Sequence, residues 1–327
     1  NTGRKETINR DGIIIYDKFE KKEAINNQNA IPLIVIHGHT PSHGDTIIAK
    51  LLNLGSTEET LYKFWNLGYF DQFQTFVEKL EDDKLYSDKG FILGVTSQDN
   101  VFNCKPNSWS KNIAVRTTYY LTDDRKKISG NPIVEMSDEV GINDYALRLS
   151  KVIENIKRCT GSNKVDIVAH SMGGSVAREY IKEGGANSVN KLIMLGTPNK
   201  GAYPDDGYNK FCESTHPGQE CKDLSNDSAF LRNLNNYIPP SNVKIYTIAG
   251  NNKGDNDEVV RVNSVKLDYA QENYEVNCDH TALIEPNICT DAYDIIKSIL
   301  QEDGESSKKS NQPIYEDEPT TSNEIAR

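Results

Sequence analysis

The sequence predicts an α/β fold with a mostly parallel central sheet and helices on both faces. Short apolar runs rich in β-branched residues recur along the chain, and most are continuous rather than alternating. Such runs are typical of strands buried on both faces of a parallel sheet. Helical patterns separate several of them, which indicates right-handed crossover connections. The strands are predicted at residues 12–16, 31–37, 90–95, 164–169, 191–195, 243–249 and 274–277.

Helices are predicted between and after these strands. Residues 144–158 carry their apolar side chains on one stripe, and Gly161 follows as a stop signal. Residues 175–183 and 291–300 also have helical patterns, and residues 228–235 form an amphipathic one. The last of these suits a lid with an apolar underside, but packing on the core fits the pattern equally well.

The length of 327 residues allows one large domain or two small ones, and we expect a single catalytic domain over residues 1–300. Two stretches, at about 40–143 and 199–241, are longer than a simple alternation of strands and helices needs. Long loops inside a compact domain are usually functional, as lids or substrate-binding insertions. Residues 301–327 are rich in Ser, Glu, Lys and Pro, and we expect a disordered tail there.

Composition excludes several kinds of partner. The formal net charge of −11 argues against nucleic acid and against docking by charge on an anionic membrane. No apolar run approaches the roughly 18–20 residues that a transmembrane helix needs, so no transmembrane segment is expected. The sequence does not indicate an oligomeric state.

Six cysteines, an even number, permit complete pairing. None has the C-x-x-C spacing, which argues against zinc ribbons and thioredoxin chemistry. Cys212 and Cys221 are close enough to close a short loop, and so are Cys278 and Cys289. Disulfides would indicate a secreted or extracytoplasmic protein, whereas the alternative is six buried thiols in a cytosolic one.

The strongest chemical signal surrounds Ser171. A buried strand leads directly into this serine, and a helix rich in small residues follows it. This is the context of the G-x-S-x-G nucleophile elbow, with Ala169 and Gly173 as the small neighbours two positions away. The helix N-terminus behind the serine favours a developing negative charge. The alternative is a serine that merely caps a helix.

With these residues in view, the chain resembles the α/β-hydrolase superfamily, and within it the triacylglycerol lipase/esterase branch. The resemblance spans about residues 30–300 in the family's order. It implies an α/β-hydrolase fold with a lid-like insertion and a Ser-Asp-His triad. The matching segments are residues 34–39 (Ile-Val-Ile-His-Gly-His), 168–174 (Val-Ala-His-Ser-Met-Gly-Gly), 195–201 (Leu-Gly-Thr-Pro-Asn-Lys-Gly), 257–260 (Asp-Glu-Val-Val) and 279–280 (Asp-His).

The resemblance implies an oxyanion hole made of two backbone N–H groups. One comes from Met172, the residue after the nucleophile, and the other from the loop beyond His37-Gly38, which places it at His39. Three histidines and an acid within residues 37–45 also suggest a zinc site, but their spacing is not that of a typical metal motif. We therefore expect no metal and no cofactor, with His39 and His43 exposed to solvent.

The base and the acid follow from the family's chain order of serine, acid and histidine. Downstream of the serine there are two histidines, His216 in the polar stretch and His280 after the last predicted strand. His280 has the family's position for the base. The resemblance assigns the acid to Asp257, with the neighbouring Asp255 as the alternative. A disulfide between the cysteines at 278 and 289 would hold the base loop in place.

These residues together predict a serine hydrolase that cleaves carboxylic esters, with an ester or lipid as its substrate. The same fold and triad also serve acyl transfer to another acceptor, or amide cleavage. A non-catalytic binding module is a third reading, but it is disfavoured because both the serine and the histidine are present. Sequence patterns do not separate ester hydrolysis from acyl transfer, because the acceptor site carries no motif.

Overall fold

The structure is a computed structural model. It describes residues 4–8, 14–18, 30–39, 73–92, 95–96, 104–119, 121–123, 133–134, 140–203 and 218–309. The strands in these ranges are β1 (Arg4–Ile8), β2 (Ile14–Lys18), β3 (Leu33–Ile36), β4 (Ser87–Ile92), β5 (Val95–Thr96), β6 (Ile113–Thr117), β7 (Leu121–Asp123), β8 (Ile133–Val134), β9 (Val165–His170), β10 (Val189–Leu195), β11 (Lys244–Gly250) and β12 (Glu272–Val276).

Helices lie between the strands and after the last one. Short 3₁₀ turns at Gly185–Ser188 and Ala282–Ile284 supplement them. The α-helices are α1 (Gln74–Asp82), α2 (Ile142–Thr160), α3 (Met172–Lys182), α4 (Gln219–Asp223), α5 (Ala229–Asn236), α6 (Val262–Val265) and α7 (Thr290–Lys309).

Seven strands form the central sheet in the order β12-β11-β10-β9-β3-β6-β4, and all its neighbouring pairs are parallel. Strand β9, which leads to the predicted nucleophile, lies near the middle between β10 and β3. Because parallel strands share one carboxyl edge, the loops after β3, β9, β10 and β11 converge there. The predicted α/β-hydrolase fold is confirmed.

The core has two layers because the sheet is covered on both faces. The larger cluster includes Ile153 and Ile156 of α2 and Val176 of α3 on one side of the sheet. The second cluster includes Phe76 of α1 and Ile296 of α7 on the other side. Burial on both faces explains why these strands appear in the sequence as continuous apolar runs. Within the described ranges, no helix combines the length and apolar character required for a membrane span.

One strand of the central sheet carries no strong sequence signal. Strand β6, which pairs with both β3 and β4, includes the buried Arg116. Its guanidinium lies 3.2 Å from the Asp88 carboxylate of β4, and both side chains are almost fully buried. A buried cation is tolerated when it is paired, but it interrupts the apolar pattern that predicts a strand. The stretch at 40–143 thus contributes strands to the main sheet.

The amphipathic helix α5 packs on the core rather than lying apart from it. Leu231 and Leu234 are fully buried, and Ser228 caps the helix by accepting a hydrogen bond from the Leu231 N–H at 3.0 Å. Arg178 of α3 donates to the Asn235 side chain at 2.8 Å and to the Asn199 side chain at 2.9 Å. This contact fixes α5 to the helix that follows the predicted nucleophile.

Disulfides bind the chain in three places. Cys278 pairs with Cys289, as the sequence spacing suggested, and Cys104 pairs with Cys159 at the end of α2. Cys221 of α4 is also disulfide-bonded, and its partner lies outside the described residues. Among the described cysteines none is free.

The final helix is longer than its sequence pattern indicates. Helix α7 continues to Lys309, whereas the pattern ended it at residue 300. Its apolar side chains Ile296 and Ile299 are buried, and the residues beyond them are polar, so apolar periodicity alone stops early. The predicted tail began at residue 301, so its first nine residues lie in α7; the rest of the tail, from residue 310, lies outside the described residues.

Two leucines on α2 provide a matched test of its packing. Leu149 is 1% exposed and Leu147 is 62% exposed, although both lie on the same helix. We expect Leu149→Ala to lower the free energy of unfolding by about 2–5 kcal/mol, because it leaves a cavity. Leu147→Ala should change it by no more than about 0.5 kcal/mol. Urea denaturation of both variants measures the difference, and equal losses would contradict the described orientation of α2.

Candidate active site

Ser171 lies in a sharp turn between β9 and α3. Strand β9 ends at His170 and helix α3 begins at Met172, so the serine is the single residue between them. Its φ of 53° and ψ of −129° lie in a region that residues other than glycine rarely adopt. Such strain costs about 1–3 kcal/mol and persists only where the surrounding structure enforces it. This is the geometry expected of a nucleophile elbow.

Small residues around the elbow are required by contact with neighbouring backbone. A Cβ atom at Gly173 would lie 2.4 Å from the carbonyl oxygen of His37, at the end of β3. A Cβ atom at Gly38 would lie 2.6 Å from Cβ of Ser171. Both distances are far shorter than real Cβ contacts. The loop after β3 therefore passes directly beside the serine, as the predicted oxyanion loop should.

Asp257 and His280 form a buried hydrogen-bonded pair. His280 Nδ1 lies 2.7 Å from Oδ2 of Asp257, which is fully buried. The other carboxylate oxygen accepts hydrogen bonds from the backbone N–H groups of Val259 and Val260, at 3.0 and 2.6 Å. Three donors, on both carboxylate oxygens, therefore fix the orientation of the carboxylate.

The alternative acid, Asp255, does not contact the imidazole. It is exposed, and its side chain accepts a hydrogen bond from Asn256 instead. Of the two carboxylates left open by the sequence, the structure therefore brings Asp257 to the histidine.

The loop that carries His280 is held at several points. The His280 N–H donates to the Asp257 carbonyl oxygen at 2.8 Å, and the 278–289 disulfide flanks the loop. Asp279 accepts a hydrogen bond from the Ala282 N–H at 2.8 Å and stabilises the following 3₁₀ turn. That hydrogen bond lowers the pKa of the Asp279 carboxyl below its ordinary value. The histidine is thus fixed by backbone contacts as well as by its acid partner.

Strand β10 brings the elbow and the Asp257–His280 pair together. The Ser171 N–H donates to the Leu195 carbonyl oxygen at 2.8 Å. At the next residue, a Cβ atom on Gly196 would lie 2.9 Å from both Asp257 Oδ2 and His280 Nδ1. The Gly196 backbone therefore packs directly against the acid–base pair, one residue after the carbonyl group that accepts from the Ser171 N–H. The motif at residues 195–201 contains this glycine but does not by itself indicate its role.

The start of the predicted oxyanion loop is anchored by His37. This histidine is buried, and its Nδ1 donates to the Gly38 carbonyl oxygen at 2.6 Å, while Nε2 lies 2.6 Å from the Thr118 hydroxyl. Tyr119 stacks on the ring and donates to the His37 carbonyl oxygen at 2.8 Å. Burial lowers the pKa of His37 to about 4, so the ring is neutral near pH 7.

His39 is placed differently from the expectation. Its side chain is 7% exposed, and Nδ1 lies 2.7 Å from the Glu220 carboxylate of α4. Tyr145 donates to the other oxygen of that carboxylate at 2.7 Å. The expectation of a solvent-exposed His39 was wrong, because residues near 220 fold back over the oxyanion loop. His43 and His216 lie outside the described residues.

The other predicted site residues lie where the elbow places them. Met172 is the first residue of α3, so its backbone N–H lies at the helix N-terminus next to the serine. Its side chain is fully buried. In the part of the chain that the structure describes, no three His, Cys, Asp or Glu side chains lie together as a metal site would require.

A parallel sheet with a serine elbow at the end of a central strand defines the α/β-hydrolase class. The chain belongs to the family described as "Alpha/beta hydrolase of unknown function (DUF915)", which matches residues 107–271, half of the chain. The match includes the elbow serine and Asp257, while His280 lies beyond it.

Solved structures agree with this fold. The mature form of the lipase BlEst2 from Bacillus licheniformis superposes with a TM-score of 0.51 at 15% sequence identity, over 86% of this chain and 96% of the lipase. The phospholipase PlaB from Legionella pneumophila, in complex with thio-NAD, gives a TM-score of 0.50 at 12% identity, over 86% of this chain and 64% of PlaB. At such low identity these similarities establish the fold.

The buried histidines predict a loss of stability in mild acid. His37 has a folded pKa of about 4, below its ordinary value of 6.5, and burial also lowers the pKa of His170 well below that value. Between about pH 6.5 and pH 4 the unfolded chain therefore binds protons that the folded chain does not. We expect the free energy of unfolding to fall by about 1.4 kcal/mol per pH unit for each such histidine.

Urea unfolding between about pH 7 and pH 5 measures this slope. The control is His37→Gln, which removes one titrating group. Its unfolding should take up one proton fewer, so the slope should fall by about 1.4 kcal/mol per pH unit. A slope that is unchanged in this variant would show that His37 is not buried in its neutral form.

Proposed function

We propose that this protein is a serine hydrolase that cleaves carboxylic esters through an acyl-enzyme. Ser171 is the nucleophile, His280 the general base and Asp257 the acid that orients it. The observation that carries the proposal is the 2.7 Å hydrogen bond between the buried Asp257 and His280, held beside a serine in a strained elbow. A serine hydroxyl is a weak nucleophile until an oriented base removes its proton.

The hydrogen bond sets the tautomer of the base. An ionised carboxylate only accepts hydrogen bonds, so Nδ1 of His280 carries the proton that it donates to Asp257. Nε2 is left bare and accepts the Ser171 proton as the hydroxyl oxygen attacks the ester carbonyl. The imidazolium then donates that proton to the departing alcohol, which leaves an acyl group on the serine. Water, deprotonated by the same histidine, attacks the acyl-enzyme; the bond to the serine oxygen then breaks, the histidine returns the proton to that oxygen, and the carboxylic acid leaves.

Two backbone N–H groups stabilise the tetrahedral intermediate. One belongs to Met172, at the N-terminus of α3, where the helix dipole also favours negative charge. The other belongs to His39, on the loop that passes beside the serine. The 2.7 Å contact between Nδ1 of His39 and the Glu220 carboxylate holds this loop from outside.

The domain extent, the substrate class and the location of the protein are inferred from features outside the catalytic residues. We infer that residues 1–300 form the catalytic domain and that the stretch at 199–241 shapes the acyl site above the carboxyl edge of the sheet. The resemblance to lipases and esterases favours an ester or lipid substrate. The disulfides favour a secreted or extracytoplasmic location, because such bonds persist in oxidising surroundings.

Replacement of the nucleophile is the first test. We expect Ser171→Ala to lower kcat on p-nitrophenyl esters by about 10⁴–10⁶-fold, because no other group can form the acyl-enzyme. The matched control is Ser175→Ala, one turn further along α3, where the serine is also fully buried. The control should keep its activity.

A serine-directed phosphonate supplies a second readout. Mass spectrometry should find the label on the peptide that contains residue 171 in the wild type and in Ser175→Ala, but not in Ser171→Ala. More than a tenth of wild-type turnover in purified Ser171→Ala would rule out the serine mechanism, and a series of acyl chain lengths would define the preferred ester.

The two fully described disulfides should differ in their effect on activity. The chain-entropy relation gives a contribution to stability of about 4 kcal/mol for Cys104–Cys159, with a sequence separation of 55, and about 3 kcal/mol for Cys278–Cys289, with a separation of 11. The first disulfide lies at the end of α2, which leads to the start of β9. The start of β9 is at the edge of the sheet opposite to the one that carries Ser171. The second flanks the base.

We therefore expect both double Cys→Ser variants to unfold more easily, but only Cys278→Ser/Cys289→Ser to lose turnover under conditions where it remains folded. A displacement of the imidazole by ~1 Å can reduce the rate about 10²-fold. Steady-state kinetics and thermal unfolding of the two variants provide the comparison. Unchanged kcat in the 278/289 variant would show that Asp257 and backbone contacts alone hold the base.

A further inference from the structure

His170, the residue before the elbow serine, contacts the loop of the base directly. Its Nε2 lies 2.9 Å from the carbonyl oxygen of His280, and the two imidazole rings are 4.6 Å apart between centroids. The side chain is buried, and its ring lies in an edge-to-face arrangement with Phe73, with 6.5 Å between the ring centroids. Neither the sequence motifs nor the proposed reaction gives this histidine a role.

The hydrogen bond defines the state of the His170 ring. A carbonyl oxygen only accepts, so Nε2 of His170 must carry the proton and donate it to His280. Nδ1 is then bare, and in the described part of the chain it has no hydrogen-bond partner. Burial, followed by repulsion from the neighbouring His280, lowers the pKa of His170 well below its ordinary value, which is consistent with a neutral ring.

Packing alone does not account for a histidine at this position. A leucine of similar size would fill the same space without a polar atom. A buried acceptor without a partner costs on the order of 1–3 kcal/mol. The hydrogen bond to the His280 carbonyl oxygen is the contact that a histidine makes here and an apolar side chain does not.

We propose that His170 is a positioning residue for the base, which rests on the proposed role of His280. The backbone of His280 is held on both sides, since its N–H donates to the Asp257 carbonyl oxygen at 2.8 Å and its own carbonyl accepts from His170. Because His170 adjoins Ser171 in the chain, the same side chain couples the position of the base to that of the nucleophile.

A neutral His170 is also compatible with the charge that the reaction creates. When His280 takes up the serine proton it becomes an imidazolium, with the His170 ring 4.6 Å away. Two like charges at this separation in a buried site would repel strongly. A ring that remains neutral donates its hydrogen bond without opposing the protonation of the base.

Two amide variants test which nitrogen matters. The side-chain N–H₂ of glutamine can reach the position of Nε2, whereas that of asparagine reaches only the position of Nδ1. We expect His170→Gln to keep most of the wild-type kcat on p-nitrophenyl esters. His170→Asn should lose up to ~10²-fold in kcat with little change in KM, because the displaced base affects the reaction rather than binding. Equal losses of kcat in the two variants would overturn the proposal.

The tautomer of His170 is a readout that needs no substrate. Nitrogen-15 NMR of the wild type should show a neutral ring protonated at Nε2 near neutral pH, and a ring protonated at Nδ1 would overturn the proposal. The rate of labelling by a serine-directed phosphonate compares the Gln and Asn variants even if no ester is turned over. A wild type that leaves all the esters intact contradicts the proposed function, whereas equal labelling rates of the two variants contradict the role of His170.

Discussion

The close contact between the nucleophile elbow and the end of β3 is the constraint on which the candidate site depends. A Cβ atom at Gly173 would fall 2.4 Å from the His37 carbonyl oxygen, and one at Gly38 would fall 2.6 Å from the Ser171 Cβ. Backbone segments this close leave the serine no relaxed conformation. They hold it at a φ of 53°, in a region that residues other than glycine rarely adopt. The same contact brings the loop after β3, which is the proposed oxyanion loop, beside the serine.

His280, the proposed base, is held by an equally dense set of contacts. The Asp257 carboxylate fixes the imidazole. The backbone carbonyl of Asp257 accepts from the His280 N–H, and the His170 ring donates to the His280 carbonyl oxygen, so the peptide groups on both sides of His280 are also fixed. Gly196 packs closely against the Asp257–His280 pair because it has no side chain to collide with it. Loops are mobile unless they are tied down, and here the 278–289 disulfide adds a covalent constraint to the hydrogen bonds.

The long polar stretch after β10 is part of this arrangement rather than a separate appendage. Arg178 connects α3 to α5, and Glu220 of α4 reaches the oxyanion loop through His39. Part of the stretch is therefore bound to the elbow helix and part to the loop after β3. A change in α4 would therefore act on the loop after β3 through the contact between His39 and Glu220.

The sequence by itself determined the fold class, the elbow and the order of the site residues. Continuous apolar runs mark strands buried on both faces. The elbow is recognisable locally, because a serine follows a buried strand directly and precedes a helix rich in small residues. It did not reveal β6, because a strand with a buried Arg116 appears polar until its Asp88 partner is known. The choice between Asp255 and Asp257, the burial of His39 and the contact of His170 were decided by the tertiary structure. Each depends on a partner far away in the chain, and local periodicity carries no information about which distant groups a folded chain brings within hydrogen-bonding distance.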